Sequence, residues 1–142
     1  MKTTIARLLA IVALLVVSLA AEARQPVPII DYPSNTVSTR SGKALTVEQV
    51  REAITAAARS HSWQTSRSPS GDGLQAVLNV RGKHTVVVNI SFSAQAYSIT
   101  YHDSTNMKYS NDPDTKARVI HPFYNRWVSE LREAIRMELD RL

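Results

Sequence analysis

The chain has 142 residues, with 17 Lys or Arg against 12 Asp or Glu, a formal net charge of +5 and no cysteine. The missing cysteine excludes disulfides, thiolate metal sites, cysteine nucleophiles and the lipid-modified cysteine of a lipoprotein. The basic residues are scattered (Arg40, Lys43, Arg51, Arg59, Arg67, Arg81, Lys83), which reads as a solvated basic surface rather than a nucleic-acid footprint.

Met1–Ala23 has the pattern of an export signal. Lys2 and Arg7 give a basic start, Leu8 to Leu19 is apolar apart from Ser18, and Ala21-Glu22-Ala23 places small residues where a signal peptidase reads. The apolar core of roughly twelve residues is short of the ~20 needed to span a bilayer. Cleavage is therefore expected before Arg24, with Ser18-Leu19-Ala20 a second acceptable site. The expected location is the periplasm, with membrane contact only through the uncleaved signal segment.

Residues 24–44 form a leader in which Pro26, Pro28 and Pro33 deny a helix and Ser34 to Gly42 is polar and turn-rich. It is either disordered or laid along a sheet edge through Val27, Ile29 and Ile30. Residues 45–142 read as a single domain. Thr46 and Gln49 make a capping-box pattern, and Leu45 with Val50 a hydrophobic staple. The stripe Val47, Val50, Ile54, Ala57, Ala58 then predicts a helix ending near Ser60 to Ser62.

Three or four antiparallel strands follow. Trp63–Arg67 is short, Leu74–Val80 and His84–Phe92 alternate apolar and polar residues, and Tyr97, Ile99 and Tyr101 mark the last. A three-residue turn, Arg81-Gly82-Lys83, keeps both central stripes on one face by pairing Leu78 with Val86, with Gly82 supplying a positive φ. The turn at Ala94-Gln95 pairs Ile90 with Ile99, Phe92 with Tyr97 and, by extension, Val86 with Asp103. Val77 and Val87 interrupt an otherwise polar outer face.

Asp103 to Arg118 reads as a long polar loop, a length associated with function or mobility. The closing helix starts at Pro122, with Tyr124, Val128, Leu131, Ile135, Leu139 and Leu142 as its apolar stripe and Trp127 beside it. The expected fold is α+β: a two-layer sandwich of a three- or four-stranded antiparallel sheet with two helices on one face, in the order α-β-β-β-β-α.

Catalytic patterns are weak. No two of the four histidines, His61, His84, His102 and His121, lie within one helical turn. His84 and His102 near Asp103 suggest a metal site, but alternation puts the two on opposite faces. Asp103-Ser104 with His121 suggests a hydrolase, but no G-x-S-x-G elbow accompanies them. No metal, cofactor or catalytic residue is expected. The stronger set is aromatic and polar: Tyr101, Asp103, Asn106, Tyr109, Tyr124, Asn125, Arg126 and Trp127, a composition suited to a sugar or peptide. Its architectural alternative has Tyr124 and Trp127 completing the core and pinning the loop.

Tyr97-Ser98-Ile99-Thr100-Tyr101, Asp103-Ser104, Asn106-Met107, Tyr109, Ile120-His121 and Tyr124-Asn125-Arg126-Trp127-Val128, then Leu131 and Ile135, resemble a family of small proteobacterial envelope proteins. The resemblance runs over roughly residues 45–140 and is most specific at Tyr124–Val128. It implies an exported protein of unknown function and lends no catalytic or binding residues. Many members of that family look like lipoproteins, from which this cysteine-free chain departs. The sequence thus points to a non-enzymatic binding or adaptor domain for an envelope protein, peptide or glycan. The alternatives are a small hydrolase or metal enzyme using His102, Asp103 and His121, and a structural or stress-related envelope factor that self-associates through its outer sheet face.

Overall fold

The computed structural model describes residues 25–142. The segment Met1–Ala23, expected to be an export signal, and the expected cleavage site lie outside the described residues. Along the chain run β1 (Val27–Pro28), β2 (Tyr32–Thr36), α1 (Val47–Ser60), β3 (Trp63–Arg67), β4 (Leu74–Val80), β5 (His84–Phe92), β6 (Ala96–Thr105), β7 (Ser110–Asn111), β8 (Arg118–Ile120) and α2 (Phe123–Asp140). The main sheet is five-stranded and antiparallel in the order β2-β6-β5-β4-β3, and a smaller sheet pairs β1-β8-β7. The α+β, sandwich-like class holds. The expected order and strand number do not, because leader and polar loop both contribute strands.

The first helix forms as its cap dictates. Thr46 Oγ1 accepts from Gln49 N–H at 3.2 Å, and Gln49 Oε1 accepts from Thr46 N–H at 2.9 Å, so two otherwise orphaned donors are satisfied reciprocally. Val50, Ala53, Ile54, Ala57 and Ala58 face inward, whereas Val47 stays exposed. Small alanines let α1 lie close against α2, whose Tyr124, Val128, Leu131, Ala134, Ile135 and Leu139 are buried. Leu142, expected on that stripe, is exposed beyond the helix end. Both helices share one core with Leu74, Ala76, Leu78, Val86, Val88, Ile90, Tyr97 and Ile99 from the main sheet.

The central register is the one the stripes require: Leu78 opposite Val86, Ile90 opposite Ile99, and Phe92 opposite Tyr97. The Arg81-Gly82-Lys83 turn closes with Lys83 N–H donating to Val80 C=O at 3.1 Å. Both Arg81 (φ 54°) and Gly82 (φ 64°) are left-handed, one residue more than the glycine alone suggests. The register then shifts between Val87 and Val88, so Val86 faces Ser104 and Val87 faces Asp103. The expected pairing of Val86 with Asp103 fails because His102 occupies a bulge, an extra residue that alternation cannot reveal.

Asp103–Arg118 is not one long loop. The strand β6 runs on to Thr105, and β7 and β8 form a hairpin closed by Asp112. Asp112 Oδ1 accepts from Asp114 N–H (3.0 Å), Thr115 N–H (2.8 Å) and Thr115 Oγ1 (3.0 Å), which holds its carboxyl below the usual range. Polar composition reads as loop, yet here it supplies the bonds that make a tight turn.

The leader lies on the edge of the domain. Tyr32 faces Ile99 and Asn35 faces Tyr97, with an irregularity between them that accommodates Pro33. Polar bonds tie the leader to the C-terminal half, and Ile29, Tyr32 and Val37 pack against the core. Asn125 accepts from Ile30 N–H at 3.0 Å and donates to Pro28 C=O at 2.9 Å. Buried Asn35 donates to Tyr97 C=O at 3.1 Å and accepts from Arg132 Nε at 2.6 Å.

Candidate functional site

The eight residues singled out from the sequence do not form one site. Four are architectural. Asp103 Oδ1 accepts from the adjacent Ser104 N–H at 2.8 Å. Asn106, at φ 59°, donates to Lys83 C=O at 3.3 Å while its own carbonyl meets His84 Nδ1 at 2.9 Å, stapling the end of β6 to the β4–β5 turn. Asn125 holds the leader in place. Tyr124 is wholly buried in the core, and burial pushes its phenol well above the tyrosine range, with Asp31 acting in the same direction.

Tyr101 and Tyr109 do come together. Their rings stack at 4.7 Å with an interplanar angle of 4°, and Tyr124 meets Tyr101 edge-on at 5.6 Å. The Tyr101 hydroxyl pairs with Ser104 Oγ at 3.0 Å, and burial raises its pKa. Asp31 organises this corner: it accepts from Tyr101 N–H at 2.8 Å and pairs with Arg118 at 2.5 Å, while the Arg118 guanidinium lies 6.0 Å from the Tyr101 ring. Tyr109 is 42% exposed, so one aromatic face of this assembly borders solvent.

Arg126 and Trp127 belong to a second place. Trp127 is half-buried and borders two adjoining grooves of about 310 and 290 Å³ that share Val80 and Arg81. The first runs past Trp63, Leu78 and Glu130, and the second past His84, Phe123 and Arg126. Phe123 is 50% exposed, with its ring 5.7 Å from Trp127 and 4.8 Å from His121. Arg126 reaches along the helix to Glu130 at 3.0 Å. Arg81 takes part in no ion pair among the described residues. The grooves therefore have apolar and aromatic walls with a basic rim, which suits an elongated ligand with apolar faces and anionic or hydroxyl groups.

Sequence reasoning missed Phe123, Arg81 and His84 here. Phe123 carries a readable signal: it sits one residue off the buried stripe and four before Trp127, so the pair must line a partly open helix face. Arg81 and His84 reach the groove only through the left-handed turn.

His102 Nδ1 lies 3.2 Å from Asn89 Nδ2 on the outer sheet face, while His121 Nδ1 accepts from Phe123 N–H at 3.2 Å at the start of α2. The helix begins at Phe123 rather than Pro122, which takes the N-cap position without a side-chain cap bond. Among the described residues no three His, Asp or Glu side chains gather as a metal site, and no helix is long and apolar enough to cross a membrane. Comparison of the chain with protein-family models, with curated proteins and with solved structures gives no match in any of the three.

Proposed function

We propose that this protein is an exported, periplasmic binding or adaptor domain without catalytic activity, and that it holds a peptide, a glycan or an extended segment of an envelope protein in the grooves beside Trp127. The observation that carries this reading is the half-open aromatic wall of Trp127 and Phe123 facing Arg81. An exposed Phe next to a half-buried Trp costs solubility unless something covers it, and such rings supply most of the binding energy in recognition sites.

The backbone of Arg81 supports the same reading. A β-branch-free but bulky arginine at φ 54° gives up about 1–2 kcal/mol relative to a relaxed conformation. Asn or Gly would occupy that turn with less strain, yet the position carries a cation aimed at a groove. Strain of this kind gathers at functional positions. The export address rests on the composition of Met1–Ala23, and the family resemblance points the same way.

A pull-down from periplasmic extract, quantified by mass spectrometry, tests the proposal. The wild type is compared with Phe123→Ala, Arg126→Ala and Tyr109→Ala, all three at exposed positions. A retained species lost from the Phe123 and Arg126 variants supports the groove. Loss from the Tyr109 variant alone moves the site to the Tyr101–Tyr109 stack, and retention by all three rejects both places.

A further inference from the structure

The main sheet ends in two edges that are treated differently. On one side β2 is irregular between Tyr32 and Asn35 and carries Pro33, features that discourage further strand pairing. On the other side β3 is regular over all five residues, with no proline and no bulge. Ser68 N–H donates to Gly73 C=O at 3.0 Å, which fixes the alternation of the β3–β4 ladder. Ser66 and Gln64 then bond to β4, while Thr65 and Arg67 turn their N–H and C=O groups to the open edge. No partner for these groups exists among the described residues.

Beside this edge lies a groove of about 630 Å³ between β3 and the first turns of α1. Val47 and Phe92 offer apolar surface in it, both of them incompletely buried. Arg67 projects there without an ion pair, and Arg51, which pairs with Glu48 at 2.7 Å, adds a second guanidinium. Asp72 is the one acidic side chain on the lining.

We infer that the β3 edge and the groove under α1 form a second binding surface, distinct from the Trp127 grooves, that takes up an extended acidic peptide by strand addition. Main-chain bonds to Thr65 and Arg67 would supply affinity. Alternate side chains would supply selectivity, with an apolar one against Val47 and Phe92 and a carboxylate against Arg67. Arg67, which has no ion pair among the described residues, favours an acidic occupant over a basic one, whereas the charge of Arg51 is already met by Glu48.

The probes are the acetylated, amidated pentapeptides Thr-Val-Thr-Glu-Thr and Thr-Glu-Thr-Val-Thr, which cover both strand directions, and their counterparts with Lys in place of Glu. Binding is followed by amide NMR on the full domain up to about 1 mM, the weak limit of specific association. At least one acidic peptide is expected to shift and protect the Thr65 and Arg67 amides, with its lysine counterpart at least tenfold weaker. Thr65→Pro removes an outward N–H that the β4 ladder does not use, so the fold is retained while binding falls at least tenfold. Arg67→Glu, at an exposed position, lowers it similarly and guards against a folding defect in the proline variant. The inference is overturned if neither acidic peptide binds, if binding survives both substitutions, or if the edge is occupied by a concentration-dependent dimer that Thr65→Pro abolishes.

Discussion

Gly73→Ala is expected to be among the most damaging single-methyl changes in the molecule, and its cost can be worked from the backbone. Gly73 has φ +113°, outside the left-handed well that other residues visit, in a region that is essentially glycine's own. A Cβ there would sit 3.2 Å from Ile90 C and Ser91 Cα and closer still to Ile90 O, all of them backbone atoms that cannot rotate away. Conformational strain contributes about 1–3 kcal/mol and the forced shift of β5 another 1–3 kcal/mol or so. Gly82→Ala is the internal control, because Gly82 at φ +64° has nothing within 4 Å of the added carbon. That change costs only about 1 kcal/mol, and the entropy gain of Gly→Ala in the unfolded chain is common to both. Urea unfolding should therefore place Gly73→Ala about 1–5 kcal/mol below Gly82→Ala with an unchanged slope. At roughly 4 °C per kcal/mol, the gap is wide in a thermal melt. Equal stabilities for the two variants would refute the close approach of the β3–β4 turn to β5, and with it the geometry of the edge-strand groove.

Other substitutions separate architecture from binding. Asn125→Ala leaves Ile30 N–H and Pro28 C=O without their partner, so the domain should lose about 1–2 kcal/mol and amide exchange should quicken at Ile30 before the core. Arg81→Asn suits the left-handed turn better and should raise stability by about 0.5 kcal/mol while weakening ligand capture, a combination no purely structural role of Arg81 would give. The phenols of buried Tyr97 and Tyr124 and of half-buried Tyr101 titrate above the ordinary value of 10.0 in the folded state. The stability they contribute is thus intact below pH 10 and is lost as pH climbs past it, because the unfolded chain ionises first. Circular dichroism between about pH 9 and 12 should show this alkaline limb flattened in Tyr124→Phe.

Much of the fold was legible because burial leaves a period in the sequence. The stripes of β4 and β5 determine their pairing to the residue, and Thr46 with Gln49 announces α1 before any apolar pattern is needed. What stayed hidden was decided by single residues that break a period: His102 in its bulge, Arg81 sharing the left-handed turn, and Pro33 tolerated only because β2 is an edge. The leader was undecidable locally, since Asn35, Asp31 and Asn125 find their partners some 60–100 positions away. The candidate site divided for a related reason. Tyr124 and Asn125 are adjacent in sequence, but one helical step turns the first into the core and the second onto the leader. Aromatic and amide residues near a loop look like a binding site whether they meet a ligand or each other.

The most direct test of binding beside Trp127 uses the two tryptophans of the chain. Isotope-labelled protein placed in unlabelled periplasmic extract gives separate indole N–H signals for Trp63, which is 3% exposed, and for Trp127 in the groove wall. Binding beside α2 predicts that the Trp127 indole and the Arg81 and Phe123 amides shift or broaden, while Val77 and Val87 on the outer sheet face stay unchanged. Perturbation confined to Val77 and Val87, or none at the Trp127 indole, would contradict it.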